Sequence, residues 1–99
     1  VVLNDRPGSS ELEAAVASIT SQGGKALGVE ADAFSREGCQ QLLEAVLNWQ
    51  GRFDLLVSNP AASKRSSFLK LEPELFEQIV RGTLTAGFHM SQLAARQMV

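Results

Sequence analysis

Asp5, Asp32 and Asn59 each stand where a short apolar run stops. Asp5 ends Val1-Val2-Leu3-Asn4, Asp32 ends Val29-Glu30-Ala31, and Asn59 ends Leu55-Leu56-Val57-Ser58. A carboxylate in the first position can accept hydrogen bonds from both hydroxyls of a ribose. A carboxylate at Asp32 can accept from the amino group of an adenine, and Ala33 beside it is small enough to lie against the ring. Asn59 carries a donor and an acceptor on one rigid side chain. Pro60 drives Asn59 toward extended backbone and removes one main-chain donor. Ala61 and Ala62 leave room for a ligand to approach the backbone. Arg6, next to Asp5, can pair with a 2′-phosphate, which the carboxylate would repel. Each of these residues also has a plainer use. Asp5 can open the turn Asn-Asp-Arg-Pro-Gly, Asp32 can begin the turn after its strand, and Asn59 can cap a loop.

Other reactive side chains offer less. His89, the one histidine, has no Cys, Asp or Glu at a ligand spacing, so a packed or surface role is expected and no metal site is assigned. Trp49 near a helix end reads as a packing residue. Gly24-x-x-x-Gly28 is too sparse for a phosphate loop. Cys39 is the single cysteine and falls on an apolar helix face. It is expected to be a buried, inert thiol, which fits a reducing cytoplasm.

The 99 residues are 44% hydrophobic with a net charge of −2, an ordinary composition for a globular protein. No cluster of Lys and Arg supplies a phosphate-tracking stripe, which argues against nucleic acid. Lys64-Arg65 is the only basic pair of note and reads as a solvated loop. No apolar run approaches the ~20 residues that span a bilayer, and no signal-peptide pattern is present.

The elements that must position the three tips follow from periodicity. Val1–Asn4 reads as a strand. Ser10-x-x-Glu13 has the form of a capping box, and Leu12, Ala15, Val16 and Ile19 follow at helical spacing. Gly23-Gly24 stops that helix, and Ala26–Ala31 is a second strand. Ser35 can cap a helix whose apolar face is Cys39, Leu42, Leu43, Val46 and Leu47, ending at Gly51. Leu55–Ser58 is a third strand, bounded by Ser-Asn-Pro. A polar loop over 63–67 precedes a helix with Pro73 near its start. Phe76, Ile79, Val80, Thr83, Leu84 and Gly87 line one face of that helix, which continues to the end of the chain. Alternation of strands and helices predicts an α/β protein: a doubly wound parallel sheet of three strands, Rossmann-like and incomplete, with helices on both faces.

In order, these segments resemble the short-chain dehydrogenase/reductase family. Val1–Arg6 resembles the family's second strand with its ribose-binding acidic tip, and Val29-x-Ala31-Asp32 its third strand with an adenine-contacting Asp. Gly51–Ala61 is similar to the strand that ends in Asn-Asn-Ala-Gly. Phe76-x-x-x-x-x-x-Thr83-Leu84-x-x-Gly87-Phe88, with Gln92-x-Ala94-Ala95-Arg96-x-Met98, resembles the helix that carries the family's fourth catalytic residue. The resemblance implies an NAD(P)-dependent oxidoreductase that interconverts an alcohol and a carbonyl by hydride transfer. Its small-molecule substrate is unspecified. Asp5 favours NAD, and Arg6 keeps NADP open. The implied cofactor-binding residues are Asp5, Arg6, Asp32, Ala33, Asn59, Pro60 and Ala61. Thr83, at the position of the family's catalytic Asn, is the implied catalytic residue; a Thr hydroxyl is shorter than the amide and lacks its separate donor and acceptor. By the same resemblance the last helix joins a homo-oligomer interface.

The chain reads as residues 1–99 of a single nucleotide-binding domain, an internal piece of a longer enzyme. The Gly-rich loop and the catalytic Ser and Tyr-x-x-x-Lys of the family lie outside it, and the chain has no Tyr. On that reading the fragment itself is inactive. In the strand order 3-2-1-4-5 the central neighbour of the third strand is absent, so Leu55–Ser58 is expected to stay unpaired or collapse on the others. Two rivals remain. Phe53–Pro60 also resembles the Asn-Pro-Pro-Tyr strand end of Rossmann-like S-adenosylmethionine-dependent methyltransferases, without the second Pro and the aromatic. A non-catalytic α/β interaction domain is the other.

Overall fold

The structure, a computed structural model, describes residues 1–99. Two strands, β1 (Val2–Asp5) and β2 (Leu27–Glu30), form a parallel ladder in which Val2 pairs with Leu27 and Asp5 with Glu30. Between them runs α1 (Ser10–Ser21). Leu12 and Val16 of α1 lie over β2, where Gly28 offers no side chain: a Cβ there would stand 3.1 Å from each. Gly28 thus lets the helix sit close to the sheet, which is a packing role, at the cost of strand propensity. The helix stops at Gly23, whose φ of 85° is open to glycine and costly for other residues.

The start of α1 departs from the sequence expectation. The helix begins at Ser10 itself, the N-cap position is Ser9, and no side-chain capping bond forms. The Ser9 hydroxyl is turned back toward Asp5 instead, donating to Oδ2 at 2.6 Å. The hydroxyl hydrogen is directed to the carboxylate because bonds to a charged acceptor are about twice as strong as neutral ones.

The opposite layer holds α2 (Arg36–Gln50), which packs on β2 and on α4 (Ala86–Met98). Ser35 caps α2 as the sequence implies, accepting from the Gly38 N–H at 3.0 Å. Gly51, with φ 75°, closes it. Cys39, Met90, Leu93 and Ala94 form the buried cluster between these two helices, with Leu42, Leu43, Phe53 and Leu56 packed around it. Cys39 has no exposed surface, and burial pushes its thiol above the usual range, with the Asp32 charge adding to the effect. That is the environment of an unreactive thiol.

The long C-terminal helix is interrupted. It comprises α3 (Pro73–Val80), a π-helical turn over Arg81–Thr85, and α4. Ala86 N–H reaches back five residues to the Arg81 carbonyl. Apolar periodicity does not reveal one extra residue in a turn, because the residues on either side keep helical dihedrals.

Of the three strands expected, two form. Leu55–Ser58 runs extended in sequence pattern but makes no ladder, and Leu55 and Val57 are 80% and 73% exposed. The sheet order is β1-β2, and no strand of the chain lies beside Leu55–Ser58 to pair with it. The carboxamide of Asn4 is what ties the two ladder strands together at their carboxyl ends. Its Nδ2 donates to the carbonyls of Val29 (3.0 Å), Ala31 (3.1 Å) and Asp5 (3.2 Å). Asn4→Ala should lower stability by about 1–2 kcal/mol, since three half-buried carbonyls lose their shared donor. Chemical denaturation of both forms checks this; an unchanged midpoint would assign the amide no structural part.

Candidate functional site

Both strands point their carboxyl ends the same way, as a parallel ladder requires. The tip of β1 therefore carries Asp5 beside the β2 tip and its following turn, Ala31-Asp32-Ala33. Across from them runs the segment Phe53–Ala61. Between the two lies a cavity of about 1050 Å³. Asp5, Arg6, Asp32, Ala33, Asn59, Pro60 and Ala61 all line it, with Leu42, Leu43 and Met90 among its apolar residues. The residues singled out from three separate stretches of sequence thus share one cavity. Thr83 is not among its lining residues.

Each tip is held by local bonds. Asp5 Oδ1 accepts from the Arg6 N–H at 2.7 Å and Oδ2 from the Ser9 hydroxyl at 2.6 Å. The Ser9 bond, then the Arg6 N–H bond, hold its carboxyl below the usual carboxylate range against the opposing effect of desolvation, with the Arg6 charge also lowering it. One oxygen lone pair on each side remains for a ligand. Asp32 Oδ1 accepts from the Phe34 N–H at 3.0 Å, which closes the turn after β2. The Asp32 carbonyl accepts from both the N–H and the hydroxyl of Ser35, each at 3.1 Å. Gly38 packs directly on that carbonyl, where no other residue fits. Asn59 is exposed at the cavity rim and has no intramolecular side-chain bond, so its amide is available.

Ser9, Asn4 and Gly38 carry the arrangement and were not legible as site residues. Asn4 alone gave a signal, a carboxamide inside an otherwise apolar strand. Ser9 looked like part of a helix start, and nothing in the sequence links Gly38 to Asp32.

The lowered carboxyl at Asp5 predicts a pH dependence. A carboxylate whose folded pKa is depressed contributes stability that is complete above its unfolded value of about 3.9 and is lost as pH falls through the folded value. Ser9→Ala removes the strongest cause of the depression. The acid limb of the unfolding curve, below about pH 4, should therefore flatten in the Ser9→Ala variant, and identical acid limbs would detach the hydroxyl from Asp5.

Arg36 bridges α2 to α4: Nη1 lies 3.3 Å from His89 Nδ1, and Nη2 donates to Gln92 Oε1 at 3.0 Å. A guanidinium only donates, so Nδ1 is the acceptor in this contact. His89 is thus a packing partner. No group of three or more His, Cys, Asp or Glu is arranged to hold a metal, and no helix is long and apolar enough to cross a membrane.

The chain is similar along its length to known proteins. The family profile of short chain dehydrogenases matches residues 1–99. A 3-oxoacyl-[acyl-carrier-protein] reductase of Synechocystis is 27% identical over the whole chain and 40% of its own length. An L-rhamnose 1-dehydrogenase (NAD(P)(+)) of Azotobacter vinelandii is 33% identical over 92% of the chain and 37% of its own length. A short-chain type dehydrogenase/reductase from Mycobacterium marinum superposes with a TM-score of 0.93 at 28% identity, covering 99% of this chain and 39% of that one. The chain spans about 40% of the length of the first of these relatives. A dehydrogenase match along every residue leaves neither the methyltransferase nor the interaction-domain reading with support.

Proposed function

Since the chain belongs to the short chain dehydrogenase family, we propose that it supplies the adenosine side of the dinucleotide site in an oxidoreductase, within one nucleotide-binding domain. The enzyme interconverts a small-molecule alcohol and its ketone or aldehyde by hydride transfer to or from a nicotinamide. The observation that carries this reading is the convergence of Asp5, Asp32 and Asn59 on one cavity, the first two at the carboxyl ends of parallel strands, the place where open α/β sheets take their ligands.

The residues divide the work of binding. Asp5, ionised and aligned by Ser9 and the Arg6 N–H, accepts from the ribose hydroxyls. Asp32 accepts from the adenine amino group, and Ala33 gives the ring a flat, unobstructed wall. Asn59 offers its free amide to the adenosine ribose or base edge, and Pro60 and Ala61 keep that rim low. The donor set fits the group in chemistry: an aligned carboxylate at Asp5 and a carboxamide at Asn59 free of side-chain bonds. When bound, the cofactor supplies the hydride chemistry; the residues of this chain bind and orient it.

NAD is the proposed cofactor over NADP, because a fixed anion at Asp5 repels a 2′-phosphate. Arg6 is exposed beside it and is the residue that would soften this preference. The near-neutral charge and the absence of a basic stripe support a small-molecule partner and no nucleic acid. A homo-oligomer is supported by the exposed Phe76 on α3, Leu84 in the π turn and Phe88 on α4, which are 56%, 72% and 55% accessible. The unpaired, buried Cys39 fits a cytoplasmic setting.

Calorimetric titration of the protein with NAD⁺, NADP⁺ and ADP-ribose tests the reading. ADP-ribose is expected to compete with NAD⁺, because the proposed contacts are all on the adenosine side. Absence of binding by any adenine nucleotide overturns it.

A further inference from the structure

The helix that carries the π turn grips the loop after Asn59 through one hydroxyl. Thr83 Oγ1 donates to the Ala62 carbonyl at 3.1 Å and accepts from the Ala62 N–H at 3.3 Å. Both main-chain groups of one loop residue are thereby paired with a single side chain, in the way a neighbouring strand would pair them. The adjacent Gly82 is buried, and a Cβ there would stand 2.6 Å from the Ala62 Cβ. The helix can approach this closely only because position 82 has no side chain. The π turn over Arg81–Thr85 places Gly82 and Thr83 together against the loop; such turns often mark functional positions in helices.

We propose that Gly82 and Thr83 are positioning residues that set the height of the Asn59–Ala62 rim over the nucleotide cavity. Ala62 lies three residues beyond Asn59, so a bond made at Ala62 restrains the rim directly. The anchor at Ala62 therefore fixes the main chain at this end of the segment. The hydroxyl hydrogen of Thr83 is committed to the Ala62 carbonyl. It has one lone pair left to receive a water, and no proton of its own to pass on. Thr83 acts through Ala62 and Asn59 and does not touch the ligand. The placement of the rim follows from geometry alone; its effect on affinity rests on the nucleotide reading above.

The test compares Thr83→Val, Thr83→Ser and Gly82→Ala with the unaltered protein. Amide exchange at Ala62, resolved by NMR, reports the anchor, and the NAD⁺ dissociation constant reports the rim. Thr83→Val keeps the shape and removes the hydroxyl. It should speed Ala62 exchange roughly tenfold and weaken NAD⁺ by roughly five- to tenfold, a loss of about one hydrogen bond. Thr83→Ser should restore both to within about twofold, since the hydroxyl is kept. Gly82→Ala should speed the exchange at Ala62 more than at the amides of α4. The proposal fails if the Val and Ser variants behave alike at Ala62, or if Val raises exchange equally throughout α4 with a matching fall in melting temperature, which is general destabilisation. A protein with a protected Ala62 amide and no affinity for NAD⁺ would overturn the nucleotide reading and leave the anchor standing.

Discussion

Replacing Gly38 with alanine should produce the largest loss of stability of any single-methyl addition in this chain. A Cβ at position 38 would stand 2.0 Å from the Asp32 carbonyl oxygen, 2.6 Å from its carbon and 3.0 Å from the Asp32 nitrogen. All three are backbone atoms, so no side chain can rotate away to make room. The first turn of α2 must move off the β2–α2 turn. That movement opens the Gly38 N–H bond to Ser35 Oγ and the two bonds from Ser35 to the Asp32 carbonyl. Overpacking costs about 1–3 kcal/mol, and the lost cap adds about 1 kcal/mol. At about 4–8 °C per kcal/mol for a domain of this size, melting should fall by roughly 8–32 °C. The same shift displaces the Asp32 carboxylate, so NAD⁺ affinity should fall with it. Thermal unfolding followed by circular dichroism is the measurement, and a midpoint within a couple of degrees of the parent would show that the helix start has slack that the geometry denies.

Asp5→Ala should change nucleotide choice more than any other substitution at the cavity. The carboxylate is already ionised and aligned by Ser9 and the Arg6 N–H, so a ribose meets a fixed acceptor and pays little to organise it. Bonds to a charged acceptor are worth about 1.5–3 kcal/mol, and about 1.4 kcal/mol is tenfold in affinity. NAD⁺ binding should weaken roughly ten- to a hundredfold. NADP⁺ should weaken far less or improve, because the charge that repels its 2′-phosphate is gone while Arg6 remains beside it. Parallel titrations with the two nucleotides decide the matter, and an equal loss for both would remove Asp5 from the ribose.

Much of the frame could be read from residue order. The parallel α/β alternation, the Ser35 cap, the Gly23 and Gly51 stops and the polar tips at Asp5, Asp32 and Asn59 are local signals. Each depends on a few neighbouring residues whose dihedral preferences or hydrogen-bonding groups act within one turn. Cys39 was legible as a core thiol for the same reason, since helical spacing puts it on the apolar face. The Ser10 capping box misled because Ser10 is already the first helical residue, and Ser9, which holds the N-cap position, turns its hydroxyl back to Asp5. Leu55–Ser58 has the pattern of a buried strand, but a strand is completed by a partner, and none lies beside it. Pattern reports what a segment can bury, whereas pairing depends on what stands next to it.

Sequence by itself determined which residues could carry the chemistry: two acids and an amide at the ends of apolar runs, an arginine beside the first acid, and small residues around them. Only the tertiary structure decided that they meet on one cavity, that Ser9 and not the solvent orients Asp5, and that Thr83 spends its hydroxyl on Ala62. The reason is separation along the chain. Thr83 and Ala62 are 21 residues apart, and Asn4 and Ala31 are 27, so no local preference encodes either contact. Each exists because the ladder and the packing of α2 on α4 bring distant backbone groups within reach of a polar side chain that has no better partner.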